Sequence, residues 1–304
     1  MQILITGGAG FIGSHLAEYF QGRARIRVLD DLSSGFQANL AGVDCEVIRG
    51  SILDRDALRA AMGGVDYVFH LAAMISVPES MEQPVRCAEI NTIGTLIVLE
   101  EAARAGVKKL VLSSSAAIYG NNPVLPKREE MAPEPASPYA ISKLDGEYYC
   151  RLFTESRALP TVALRYFNVF GPRQNPASAY AAAVPIFIHQ ALRCEPLIVH
   201  GDGGQTRDFI SVRDIARANA FFAIESPLTG VFNAARGSSL TIRGLAERVV
   251  ALTGSGSQII YGAARAGDVR HSTASLEKLT AAGFNPTVDF DEGLRETIES
   301  CKRL

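Results

Sequence analysis

Tyr139 and Lys143 stand four residues apart in Tyr139-Ala140-Ile141-Ser142-Lys143, and on a helix that spacing brings two side chains to one face. A lysine ammonium beside a phenol favours the phenolate, and a nicotinamide cation nearby adds to the effect. A group that ordinarily ionises at about pH 10 can then act as a base at neutral pH. Taken alone the spacing is a common accident, and an exposed helix face would carry it equally well. The upstream segment changes its weight: Leu110-Val111-Leu112-Ser113-Ser114-Ser115 is an apolar strand that runs out into three hydroxyls. Its carboxyl end is where open α/β sheets bind ligands. A hydroxyl there can hydrogen-bond a substrate oxygen and share its proton with the tyrosine.

A second constellation lies at the start of the chain. Gly7-Gly8-Ala9-Gly10-Phe11-Ile12-Gly13 follows the first apolar run directly and opens a helical segment, with glycines at 7, 10 and 13. A tight turn, the close approach of a pyrophosphate and helix-on-strand packing each need a residue without a Cβ. The helix N-terminus then offers unpaired N–H groups and the positive end of its dipole to the phosphates. Asp30 closes the second strand, where a carboxylate accepts hydrogen bonds from an adenosine ribose and repels a 2′-phosphate. This favours NAD over NADP, although a solvated strand-end Asp would look the same.

The elements that must position these residues alternate. Apolar runs at Ile3–Thr6, Ile26–Asp30, Glu46–Ile48, Tyr67–His70, Lys109–Ser113 and Thr161–Tyr166 are interleaved with helical patterns at 11–21, 54–61, roughly 84–105 and 139–157. Repeated strand-helix units predict a doubly wound α/β fold of the Rossmann type, its parallel sheet covered on both faces. Beyond Tyr166 the prolines 172, 176, 185 and 196 break the pattern and the elements shorten. We expect residues 1–166 to form a dinucleotide-binding domain, and a helix near 212–225 with a strand at Val231–Ala234 to bring 208–235 back to its sheet. Residues 167–207 and 236–304 would then form a smaller, interleaved substrate lobe.

At 304 residues and 47% hydrophobic, the chain can fill a sizeable core. Thirty basic and 32 acidic residues are dispersed, with no block of like charge that would suit nucleic acid or an anionic membrane. No apolar run approaches the roughly 18 residues of a membrane helix, and the start, MQILITGG, has neither a charged n-region nor a cleavage site. A cytoplasmic location is expected. Five widely spaced cysteines without a CxxC argue against a disulfide framework and a zinc site, and are read as reduced, mostly buried thiols.

GGAGFIGSHL, DDLSSG, HLAA, NTIGT, SSSAAIYG, SPYAISK, LRYFNVFGPRQ, GDGGQTRDFISVRDIA and AGDVRHS succeed one another from Met1 to about residue 275. In that order they resemble the nucleotide-sugar epimerases of the extended short-chain dehydrogenase/reductase family. The resemblance is closest to UDP-glucose and UDP-N-acetylglucosamine 4-epimerases, which act through a 4-keto sugar with NAD as a resident cofactor and are homodimers. It implies that Tyr139 is the acid/base at the sugar 4-hydroxyl, that Ser115 assists the proton transfer and that Lys143 binds the nicotinamide ribose. It also implies that NAD is held by Gly7, Gly10, Phe11, Ile12, Gly13, Asp30, Asp31, Ser33 and Gly35. Ser51, Ile52, Leu71, Ala72, Ala73, Asn91, Ser113 and Tyr166 would line its path. On the substrate side it implies Asn168, Arg207 and Arg265 at the diphosphate, Asp268 at the uridine ribose, and Val199, between Ile198 and His200, beside the base. Planar bidentate guanidinium groups suit a diphosphate, although either arginine alone could be a surface ion-pair partner. Ser272 stands where a bulky residue would exclude a 2-N-acetyl group, so both UDP-hexoses and UDP-N-acetylhexosamines are expected to fit unless Ser272 is only a loop serine. Two departures are visible. Gly50-Ser51 replaces an acidic adenine contact, and Ala182 stands where one relative has an asparagine.

Other reactions on this scaffold need groups that are absent. Dehydratases resemble this chain but carry an Asp-Glu pair straight after the hydroxyl residue, and UDP-xylose synthases a Glu in that stretch; here stand Ala116 and Ala117. Without a carboxyl group, elimination lacks its acid and base. A 3,5-epimerase-reductase wants a Cys or His pair near the nicotinamide, for which Cys150 and His189 are poorly placed. A non-catalytic NAD-sensing module would have no need of Ser115, Tyr139 and Lys143 together, and turnover by purified protein separates the two readings.

Overall fold

The computed structural model describes residues 1–176, 182–264 and 269–303. Its centre is a seven-stranded sheet of β1 (Gln2–Thr6), β2 (Arg25–Asp30), β3 (Cys45–Arg49), β4 (Tyr67–His70), β5 (Lys109–Ser115), β6 (Thr161–Tyr166) and β11 (Gly230–Ala234). Their spatial order is β11-β6-β5-β4-β1-β2-β3, and every pair is parallel. The order reverses beside β1, so the ends of β1 and β4 flank the crevice in which such sheets take ligands.

Alternation along the strands supplies two cores. Ile3, Ile5 and Val111 face α1 (Phe11–Phe20) and a later helix at Val212–Ala220, and Leu4, Leu110 and Leu112 face the other side. That second face is covered by α2 (Arg55–Met62), α5 (Gly94–Arg104) and α6 (Pro138–Ser156). The stretch expected as one helix at 84–105 is divided. Past a short α3 (Val77–Glu82), which the sequence pattern did not announce, α4 (Pro84–Cys87) runs through a π-helical turn at Ala88–Ile93 before α5 begins. Such a bulge re-aims the side chains it carries, Asn91 among them.

Beyond β6 come β7 (Asn168–Phe170), α7 (Ala183–Leu192), β8 (Leu197–His200), β9 (Thr206–Arg207), β10 (Phe209–Ser211) and α8 (Val212–Ala220). After β11 follow β12 (Leu240–Thr241), α9 (Ile242–Thr253), β13 (Ile259–Gly262), α10 (Glu277–Ala281) and α11 (Phe290–Cys301). Here the sheets are two-stranded, β10 with β7, β12 with β9 and β13 with β8. A separate core of Phe170, Phe187, Val199, Leu245 and Leu294 holds α7, α9 and α11 together. Cys87 and Cys150 are buried, Cys45 and Cys301 half-buried and Cys194 exposed, and all five are free. The thiols are thus less uniformly buried than expected: Cys45 and Cys301 pack against the edges of two cores, and Cys194 lies in the turn after α7. No helix among the described residues is long and apolar enough to cross a membrane.

Candidate active site

A cleft of about 1450 Å³ runs across the carboxyl ends of the parallel strands and under the smaller lobe. At one end, Gly7, Gly10, Phe11, Ile12 and Gly13 form the turn from β1 into α1 and lie on its wall. Gly7 is left-handed, with φ +72°, and a Cβ there would stand 2.7 Å from the backbone N of Ala72. One on Gly13 would stand 2.2 Å from the Gly7 carbonyl oxygen. Glycine is therefore required sterically at both places. Gly10 caps α1 with no side-chain acceptor, so the first N–H groups of the helix are left for an anion.

Asp30 is almost fully buried, and both its carboxylate oxygens are engaged. Oδ2 accepts from the backbone N of Ala9 at 2.8 Å and Oδ1 from that of Leu32 at 2.8 Å. Burial raises its pKa, and the two N–H donors act against that. The carboxylate thus moulds the glycine turn and still has lone pairs for a ribose. Asp31, Ser33, Gly35, Ser51, Ile52, Leu71, Ala72 and Ala73 share this wall. Ser33 folds back, its Oγ donating to Asp31 Oδ1 at 2.6 Å. Phe36 and Asn39 also reach the wall, and Asn39 Nδ2 donates to the Ala9 carbonyl at 2.9 Å. Neither carried a signal in the sequence, because their place depends on how the loop after β2 folds over the glycine turn.

The catalytic candidates meet in the middle of the cleft. Ser137 caps α6, accepting from the Ala140 N at 3.2 Å, and Pro138 begins the helix. This puts Tyr139 in the first turn and Lys143 one turn on. Lys143 Nζ donates to the Ser113 carbonyl at 2.8 Å and lies 5.8 Å from the centre of the Tyr139 ring. Burial lowers the lysine's pKa to about 8. Burial also pushes the Tyr139 phenol up, while its hydrogen bond with the Ser115 hydroxyl pulls it down. The expected depression of the phenol is therefore not achieved by this chain's own groups: the buried site costs a phenolate more than Ser115 returns. Ser115 Oγ also accepts from the Ala117 N at 3.1 Å, which fixes its rotamer. Ser113 and Tyr166 line the cleft too, and the Tyr166 phenol is tied to the Asn219 amide at 2.8 Å.

Asn91 does not line the cleft. The π-helical turn carries its side chain inward, where Oδ1 accepts from the Met74 N at 2.7 Å and Nδ2 donates to the Met74 carbonyl at 2.9 Å and to Ser142 Oγ at 3.0 Å. It clamps the loop after β4 to α6 from behind. Val199 is likewise in the core of the small lobe, because β8 alternates; its neighbours Ile198 and His200 reach the cleft. Asn168 and Arg207 are on the wall. Asn168 Nδ2 donates to the Asp208 carbonyl at 3.1 Å and Arg207 Nη1 to the Thr206 carbonyl at 2.8 Å. Ser272, expected at the sugar, does not line the cleft; its N donates to the Thr206 carbonyl at 3.2 Å. Arg265 and Asp268 lie outside the described residues. Arg173, Gln174, Gln190 and Gln205 are cleft residues that sequence reasoning missed. Among the described residues no cluster of His, Cys, Asp or Glu could hold a metal ion.

Residues 3–235 match the family described as NAD dependent epimerase/dehydratase. The chain belongs to that family. Among solved structures it is similar to the UDP-N-acetylglucosamine 4-epimerase of Methanobrevibacter ruminantium in complex with UDP-N-acetylmuramic acid, at 41% identity and a TM-score of 0.96 over 99% of this chain and 98% of that one. It is also similar to the UDP-glucose 4-epimerase of Thermotoga maritima with UDP-glucose, at 39% identity and a TM-score of 0.95 over 100% and 99% of the two chains. The UDP-glucose 4-epimerase of Mycolicibacterium smegmatis is 36% identical over 98% of each chain. Relatives at 31–33% identity include a dTDP-glucose 4,6-dehydratase and a UDP-N-acetyl-alpha-D-glucosaminuronate decarboxylase. The family's NAD fits the residues present: the glycine turn, the uncapped start of α1 and the Asp30 carboxylate form one continuous wall.

Proposed function

We propose that this member of the epimerase/dehydratase family is a UDP-hexose 4-epimerase that interconverts UDP-glucose with UDP-galactose, and UDP-N-acetylglucosamine with UDP-N-acetylgalactosamine. The observation that carries this is the Ser115–Tyr139 contact beside Lys143, with Ala116 and Ala117 following the serine. Relatives that dehydrate or decarboxylate make this the finer choice to test, and the missing carboxyl groups support the epimerase reading. Tyr139 takes the proton of the sugar 4-hydroxyl, Ser115 relays it, and Lys143 supplies positive charge and binds the ribose of the cofactor. NAD, when bound against the glycine turn, Asp30 and Lys143, would supply reversible hydride chemistry at the sugar C4. Asn168, Arg207 and Arg265 grip the nucleotide diphosphate and Asp268 the uridine ribose, so that the sugar can turn over between the two transfers.

On this reading residues 1–166 with 208–235 serve the cofactor, and 167–207 with 236–304 the nucleotide sugar. The enzyme acts in the cytoplasm as a homodimer, paired through the helices at 84–105 and 139–157. Exposed Ile93, Ile141, Tyr148 and Leu152 on those helices support that pairing, and a monomer mass in sedimentation equilibrium would refute it. Purified protein incubated with each of the four UDP-sugars, without added NAD, tests the activity. C4 interconversion is expected, whereas UDP-sugar binding without conversion, even with NAD supplied, rejects it.

A further inference from the structure

Tyr139, Lys143 and Glu147 recur at every fourth residue of α6 and meet three consecutive serines of β5. Ser115 neighbours the phenol, the Ser113 carbonyl accepts from Lys143 Nζ, and Ser114 Oγ donates to Glu147 Oε1 at 2.5 Å. The same carboxylate takes a bidentate grip from Arg165, Nε to Oε1 at 2.9 Å and Nη2 to Oε2 at 2.7 Å. Arg165 is the cross-strand partner of Ser114 between β5 and β6. Its Nη1 donates to the Tyr119 hydroxyl at 2.8 Å and to the Glu129 carbonyl at 3.3 Å. Side-chain exposure is 5% for Arg165 and 3% for Glu147. Neither residue reaches the cleft.

We propose that Glu147 and Arg165 are a positioning pair that sets α6 against the end of β5, and through it the Ser115–Tyr139 contact on which the proposed reaction rests. A buried ion pair is poor evidence for stability, since well-packed apolar residues often serve as well. What it adds is direction. One carboxylate joins a helix, the serine beside Ser115 and the next strand at fixed angles. Its effect on catalysis is geometric: the pair is neutral overall, and burial and Ser115, not Glu147 or Arg165, govern Tyr139. A displacement well under an ångström at that contact lowers turnover by an order of magnitude or more.

Two variants test this in the full-length protein. Ser114→Ala cuts the link from the carboxylate to β5, and the double change Glu147→Leu with Arg165→Met replaces the pair by apolar side chains of similar size. Both are expected to melt near the temperature of the parent, with kcat lower by about tenfold or more and KM for the UDP-sugar within about twofold. The ultraviolet titration of Tyr139, taken as the difference from Tyr139→Phe, should shift to higher pH as the Ser115 bond weakens. Parent kcat and parent phenol titration in a folded variant overturn the proposal, and if the double variant does not fold, Ser114→Ala decides. Should the parent itself not interconvert UDP-hexoses, the functional reading fails, and the phenol titration still tells whether the pair positions Tyr139.

Discussion

Lys143 Nζ donates to the carbonyl of Ser113 at 2.8 Å, so one of its protons is committed to the sheet before any ligand arrives. The ammonium is thereby fixed one helical turn from Tyr139, with its remaining protons free to turn toward the cleft.

Tyr139→Phe removes the proton acceptor and leaves the ring that packs the site. Turnover should fall by about 10³-fold, and for Ser115→Ala by about 10²-fold, within the range of general acid–base groups. Steady-state rates with UDP-glucose check this, and equal retention of NAD by both variants would show that the cofactor site is intact.

Lys143 makes a pH prediction. Burial brings its pKa from 10.5 down to about 8. Below pH 8 both folded and unfolded chains hold the proton and the folded chain bears the full cost of burying it; between 8 and 10.5 the folded chain gives it up first and that cost fades. Lys143→Met should therefore stabilise the protein by about 1–3 kcal/mol at pH 7, less at pH 10, while abolishing activity. Urea melts at the two pH values check it; a variant less stable at pH 7 contradicts it.

At the nucleotide end, Gly7→Ala forces a Cβ to 2.7 Å from the Ala72 N at φ +72°. We expect a loss of about 2–3 kcal/mol together with loss of NAD, read by thermal melting and by the NAD content of the purified protein. Asp30→Ala leaves the N–H groups of Ala9 and Leu32 without acceptors. NAD affinity should fall tenfold or more, as the loss of about 1.4 kcal/mol implies, and the preference over NADP should narrow. Calorimetric titration with both dinucleotides checks this, and an unchanged ratio speaks against a ribose role for Asp30.

Ser272 offers a test of sugar range. Its N bonds the Thr206 carbonyl next to Arg207, so a larger side chain there would approach the part of the cleft wall proposed to hold the nucleotide sugar. Ser272→Tyr should abolish turnover of the UDP-N-acetylhexosamines and spare UDP-glucose. Equal loss of both would reject the size argument.

Gly7, Asp30, Tyr139 and Lys143 were legible in the sequence because each belongs to a single strand end or helix turn, where spacing alone fixes direction. Asn91 and Val199 were misplaced for the opposite reason. A π-helical turn rotated the first inward, and the packing of the small lobe chose which alternate residues of β8 face the cleft. Arg173 shows what no local pattern announces: its guanidinium reaches Glu18 of α1 at 2.5 Å across 155 residues of chain. Glu147 lay on the same every-fourth-residue stripe as Tyr139 and Lys143, but its partner Arg165 is visible only once β6 is set beside β5.

The most direct test follows the hydrogen at C4. UDP-glucose carrying deuterium at that carbon is incubated with the purified protein in ordinary water and without added NAD. Transfer out and back within one site predicts UDP-galactose with the deuterium still at C4. Loss of the label to water, or a 4-keto-6-deoxy product, would contradict an epimerase built on Tyr139 and Ser115.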